Sequence, residues 1–153
     1  MQDKPKPIIY LAGYGQSNTL ETLKKKAESL NAIIVDLRHC PISKRKEWDR
    51  STLRFSLAGR YLYLGLLWGA SQNGTGALKV FDFERGLKTL NAKLEDPTAF
   101  ELSPEAVILL CSCRALTACH RGLLGNLLAS QGYKVRTLVW KKTILQRRLI
   151  DLI

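Results

Sequence analysis

Apolar runs and amphipathic stretches alternate along most of the chain. Ile8–Ala12 is an unbroken apolar run, and Ala32–Leu37 is a second, rich in β-branched residues; both predict short buried strands. Between them, Leu20, Leu23, Ala27 and Leu30 recur at helical spacing, so the intervening segment predicts a helix with one apolar stripe. Asn18 is the expected N-cap of that helix, with Glu21 three residues on completing a capping-box pair. A strand, a short helix and a strand form a βαβ unit, which implies a parallel pair.

A polar loop, Arg38–Asp49, follows, then a helix over Arg50–Ala58 that stops at Gly59, and a third strand at Tyr61–Leu64. Gly69–Gly76 is rich in Gly, Ser and Asn and predicts a loop. A second amphipathic helix starts near Asp82 and turns Phe83, Leu87, Leu90 and Leu94 inward. After a connector, Glu95–Pro104, the run Ala106–Cys111 is the clearest strand of the chain. The loop Ser112–Ala118 leads into a helix over Cys119–Gln131, with Leu123, Leu124, Leu127 and Leu128 on its apolar face and Gly132 as its stop. Tyr133–Trp140 is the last predicted strand. The alternation predicts one α/β domain over residues 1–153: a three-layer, Rossmann-like arrangement with a mainly parallel sheet, a core from 8 to 140, and a basic amphipathic segment from 141 to 153. That last segment packs back on the domain or forms an oligomer contact; the sequence leaves strand order and oligomeric state open.

Length and composition agree with this picture. A chain of 153 residues fits one domain and needs no disulfide or metal merely to fold. The N-terminal stretch lacks a cleavage pattern, and Ile8–Ala12 is too short to span a membrane, so the expected setting is the cytoplasm with its four cysteines reduced. The formal charge of +11 is spread over clusters at Lys24–Lys26, Lys44–Lys46, Lys141–Lys142 and Arg147–Arg148. Such a field favours an anionic small molecule or nucleic acid as partner, although no zinc finger, RNP-type aromatic motif or heptad repeat supports direct readout.

In open α/β sheets ligands bind beyond the carboxyl ends of the strands. Gly13-Tyr14-Gly15 follows the first strand. Asp36, Arg38, His39 and Cys40 end the second, and Cys111, Cys113, Cys119, His120 and Arg121 follow the clearest one. All the cysteines and both histidines are thus expected on one edge. Cys119-His120-Arg121 opens a helix, where unpaired N–H groups and the helix dipole favour negative charge and Arg121 adds to it. A thiol there ionises readily, which makes Cys119, and with it Cys111, a candidate nucleophile assisted by His120. The spacing is not that of a cysteine phosphatase, because Thr117 and Cys119, not arginine, lie six residues beyond Cys111 and Cys113. Metal binding is not favoured; if present it would use Cys111, Cys113, Cys119 and His120, joined by His39 or Cys40, but these spacings match no common zinc pattern. Gly13-x-Gly15-x-x-Asn18 is a near miss to the dinucleotide fingerprint, with Asp36 at the place of the ribose-binding acid. The sequence identifies no cofactor.

Gly13-Tyr14, then Asp36-x-Arg38-x-x-Pro41-x-Ser43, then Cys111 followed by Cys119-His120-Arg121 together resemble the bacterial domain of unknown function 488 family, over about Ile8–Val139. Tyr63, Gly65 and Gly69 resemble its aromatic, glycine-rich middle more loosely. The resemblance implies a compact Rossmann-like fold and, as site candidates, Asp36, Arg38, Ser43, Cys111, Cys119, His120 and Arg121; it implies little about activity. Cys113 stands where the family usually has Glu, and His39-Cys40 is particular to this chain. The leading expectation is a pocket for an anionic, nucleotide- or nucleic-acid-related ligand. Gly13, Tyr14, Arg38, Ser43 and Arg121 would bind it, Asp36 would orient Arg38 or a ligand hydroxyl, and a thiol would supply the chemistry. The alternatives are a non-catalytic module binding nucleic acid or an acidic protein through its basic surface, and a metal- or redox-sensing domain.

Overall fold

The computed structural model describes residues 4–15, 17–41, 43–72, 78–112 and 120–140. Its main sheet has five strands: β1 (Ile8–Gly13), β2 (Ala32–Asp36), β3 (Tyr61–Tyr63), β6 (Ala106–Cys111) and β7 (Val135–Thr137). They run in the order β3-β2-β6-β1-β7, and every pairing is parallel. A separate hairpin pairs β4 (Ala70–Gln72) with β5 (Leu78–Val80). The helices are α1 (Leu20–Leu30), α2 (Arg50–Ser56), α3 (Gly65–Trp68), α4 (Phe83–Glu95) and α5 (His120–Ser130).

The fold is the expected three-layer α/β arrangement. Both faces of β2 and β6 are covered, which is why these strands read as continuous apolar runs rather than alternating ones. On one face, Ala12, Ile34, Ile108 and Leu110 pack under Leu23 and Ala27 of α1 and Leu53 of α2. On the other, Leu11, Val35, Val107 and Leu109 pack under Trp68 of α3, Leu90 of α4 and Leu124 and Leu128 of α5. Gly86 lies so close under Trp68 that a Cβ there would stand 2.1 Å from the indole nitrogen. That close approach lets α4 pack against α3.

Several expectations need correction. β1 and β2 are parallel but do not pair with each other; β6 inserts between them, and Gly13 faces Cys111 across the register. The N-cap of α1 is Thr19, not Asn18: Thr19 Oγ1 accepts the Thr22 N–H at 3.2 Å, while the Asn18 amide turns back to the Gly13 carbonyl. Glu21 faces Lys25 one turn on, so there is no capping box. The helix N-terminus is met from outside the helix instead, by Glu47 Oε2, which accepts the Leu20 N–H at 3.2 Å. Gly69–Gly76 is not wholly loop, since Ala70–Gln72 forms one arm of the hairpin; residues 73–77 lie outside the described residues. The last strand is shorter than Tyr133–Trp140, because only Val135–Thr137 finds ladder partners on β1. The polar loop after β2 is not all surface: a 3-10 turn at Lys46–Trp48 drives Trp48 fully into the core. The segments 113–119 and 141–153, which include Cys113, Cys119 and the basic C-terminal stretch, lie outside the described residues. Among the described residues no helix is long and apolar enough to cross a membrane.

Candidate functional site

The chain leaves β1 and β2 toward one face of the sheet and leaves β6 toward the other. With β6 between β1 and β2, this divergence opens a crevice at their carboxyl ends, where open α/β sheets place ligands. A cleft of about 750 Å³ lies there. Tyr14 and Gly15 enter it from β1, and Arg38, His39 and Cys40 from β2. Ser43, Lys44 and Arg45 come from the following loop, Cys111 and Ser112 from β6, and His120 from the start of α5.

One wall is built on a buried ion pair. Arg38 donates through Nε to Asp36 Oδ1 at 2.9 Å and through Nη2 to Oδ2 at 2.8 Å. Its Nη1 donates to the Trp48 carbonyl and, at 3.3 Å, to the Tyr14 hydroxyl. Asp36 also accepts the Arg38 backbone N–H and, at 2.6 Å, the Tyr61 hydroxyl. Burial alone would lower the Arg38 pKa, but the hydrogen bonds and charge of Asp36 outweigh it and hold the guanidinium above its ordinary value. Burial, and then the neighbouring Asp36 charge, push the Tyr61 phenol well above the usual tyrosine range. Asp36 is fully buried and does not line the cleft. Arg38, 6% exposed, keeps one N–H, on Nη2, beyond these bonds. The Asp-x-Arg pair therefore fixes the wall first. It anchors Trp48, on which Tyr14 stacks with ring centroids 4.1 Å apart.

The loop after β2 is held just as closely. Its Ser43 N–H donates to Asp49 Oδ1 at 2.7 Å, a bond that lowers the Asp49 pKa, and Ser43 Oγ accepts the Arg45 N–H. Pro41 accepts the Arg50 N–H, so the Pro-x-Ser segment folds back onto the start of α2. Arg45 pairs with Glu47 at 2.6 Å and reaches the Asn18 carbonyl, tying the loop to α1. Its Nη1 is buried and has no hydrogen-bond partner among the described residues. Lys44 is exposed at the cleft rim. In the sequence Lys44 and Arg45 stand out only as part of a charge cluster, and Trp48 and Tyr61 carry no evident role. A tryptophan inside a polar loop is the one signal that points to them.

Gly65 explains the glycine-rich middle. A Cβ there would stand 2.0 Å from the Arg38 carbonyl oxygen, so α3 reaches the cleft wall only with glycine at this position. Tyr63 donates to the His39 carbonyl and steadies the next residue of the same wall.

Cys111 is buried at the cleft floor, and Arg121 Nη1 donates to its Sγ at 3.3 Å. His120 Nε2 lies 3.3 Å from the Leu37 carbonyl. His39 and Cys40 are exposed at the rim. Arg121, 3% exposed, does not line this cleft. It lines a smaller cavity of about 300 Å³ across the Gly13-Tyr14-Gly15 turn, together with Gly13, Thr137 and Trp140. The structure thus brings Tyr14, Arg38, Ser43, Cys111 and His120 into one cleft and sets Gly13 and Arg121 behind its floor. Cys119 and Cys113 fall outside the described residues. Among the described residues no group of three or more His, Cys, Asp or Glu side chains is placed to hold a metal ion.

Comparison with curated proteins and with solved structures gave no match. A family model described as "Domain of unknown function DUF488" matches residues 19–128. That span runs from the cap of α1 into α5 and takes in the cleft residues from Arg38 to His120, while β1 precedes it. With well over half of its length matched, the chain belongs to the DUF488 domain family.

Proposed function

We propose that the cleft binds an anionic ligand of phosphate or nucleotide type and presents it to the Cys111 thiol, with His120 beside it. One observation carries this reading: the lining of the cleft has one sign. Arg38, Lys44 and Arg45 line it together with two histidines, and no carboxylate does among the described residues. Arg45 Nη1 has no hydrogen-bond partner among the described residues, so this guanidinium retains donor capacity for an anion oxygen. Arg121 Nη1 donates to Cys111 Sγ and so fixes the position of the sulfur at the floor of the cleft. The exposed thiol of Cys40 suits a reducing, cytoplasmic setting.

The test is calorimetric titration of the full chain with inorganic phosphate, pyrophosphate and nucleoside mono- and diphosphates. At least one should bind, and Lys44→Ala combined with Arg45→Ala should weaken it about ten-fold or more, as expected for lost charge-assisted hydrogen bonds. Cys111→Ser should leave binding in place and abolish turnover of any ligand that wild type processes. Absence of binding by all these anions, or binding indifferent to the double variant, overturns the reading.

A further inference from the structure

Helix α2 shows two different faces. Leu53, and Leu57 just beyond the helix, are buried against the sheet. On the outer side Phe55 is 87% exposed, the most exposed large apolar side chain of those described. Ser51 and Phe55 lie one turn apart with Ala58 in the turn just beyond the helix, and Arg50 and Arg54 form a parallel row one turn apart. Together these five residues line a shallow groove of about 740 Å³, and among the described residues no carboxylate lines it. The Arg50 guanidinium lies 4.1 Å from the centroid of the Tyr63 ring, over its face. Among the described residues Arg54 has no ion-pair partner.

We infer that this outer face of α2 is a docking surface for single-stranded nucleic acid, with Arg50 and Arg54 on consecutive phosphates and a base stacked on Phe55. The occupant is chosen by charge and by shape. A chain of net charge +11 with two arginines in one groove is complementary to a polyanion. A second copy meeting this face about a two-fold axis would set arginines against arginines. One isolated ring offers too little apolar area for a protein core or a bilayer. It does suffice for base stacking, which tolerates any sequence because every base has a π-face. The surface is separate from the cleft and does not depend on what the cleft binds.

The experiment is fluorescence anisotropy of the full chain with labelled twelve-nucleotide thymidine DNA and uridine RNA across a salt series. Because Phe55 is exposed, Phe55→Ala should fold as wild type and bind about ten-fold more weakly. Arg54→Ala should reduce the salt slope by about one unit. Lys88→Ala, which removes an exposed charge on α4 across the sheet, should leave binding as it was. An acidic twelve-residue peptide should fail to compete. The inference is overturned if neither oligonucleotide binds, if Phe55→Ala binds like wild type, if Lys88→Ala weakens binding as much as Arg54→Ala, or if the peptide displaces the oligonucleotide.

Discussion

Arg38 grips the Asp36 carboxylate with two parallel hydrogen bonds, Nε to Oδ1 at 2.9 Å and Nη2 to Oδ2 at 2.8 Å, and both side chains lie inside the protein. The pair sits at the end of β2, where the chain must turn from a central strand into the cleft wall. All the acceptor capacity of Asp36 is used locally, by Arg38 and Tyr61. Its partner in turn holds the Trp48 carbonyl and the Tyr14 hydroxyl. Asp36→Asn keeps the volume and removes the charge, leaving a buried guanidinium uncompensated. Urea denaturation should show a loss of about 3–5 kcal/mol, the usual cost of breaking a buried pair from one side. A change below about 1 kcal/mol would show that water reaches Arg38 and that the pair is not the wall's anchor.

Gly65 meets the same wall from α3. A methyl carbon added at this position would come within 2.0 Å of the Arg38 carbonyl oxygen, a backbone atom that cannot swing away as a flexible side chain can. Gly65→Ala should therefore cost about 3 kcal/mol, the upper part of the overpacking range, and lower the melting temperature by about 10 °C. Calorimetry on the purified variant decides it. An unchanged melting temperature would mean that α3 shifts freely relative to the wall.

The hydroxyl of Tyr61 links stability to alkaline pH. Its pKa is raised in the folded protein, first by burial and then by the charge of Asp36. A raised value means that the folded state holds the proton where the unfolded chain has lost it. The stabilisation is therefore complete below the ordinary tyrosine value of about 10 and is lost as pH climbs above it. Tyr63 and Tyr133 shift in the same direction, also chiefly by burial. Denaturation midpoints should fall steadily from pH 9 to pH 11, and Tyr61→Phe should flatten part of that slope. Equal slopes in variant and wild type would show that Tyr61 ionises alike in both states.

Much of this was legible in the sequence, and the remainder was hidden for physical reasons. β2 and β6 announced themselves because strands buried on both faces must be apolar at successive positions. The insertion of β6 between β1 and β2 could not be read, because the pairing of parallel strands is decided by helix packing far along the chain. The hairpin arms Ala70–Gln72 and Leu78–Val80 are three residues each, too short to show a period. Thr19 took the cap from Asn18 because the Asn18 amide had another acceptor, the Gly13 carbonyl, that only the folded turn supplies. The gathering of Tyr14, Arg38, Cys111 and His120 followed from their places at strand ends. Arg121, expected with them, donates to Cys111 Sγ and lines the smaller cavity rather than the cleft.

The two described thiols differ in access, and that difference can report on the cleft. Cys40 is exposed at the rim, whereas Cys111 is 1% exposed at the floor. Brief treatment of native protein with iodoacetamide, followed by mass spectrometry of the peptides, should show Cys40 modified at least about ten-fold faster, since alkylation needs an accessible thiolate. In denaturant the two should react alike. An anion seated between Lys44 and Arg45 would occupy the same cleft that Cys40 lines. Saturating pyrophosphate should therefore slow modification of Cys40 in wild type and leave it unchanged in the Lys44→Ala, Arg45→Ala variant. Protection that persists in the double variant would place the anion elsewhere and detach Cys40 from the cationic lining of the cleft.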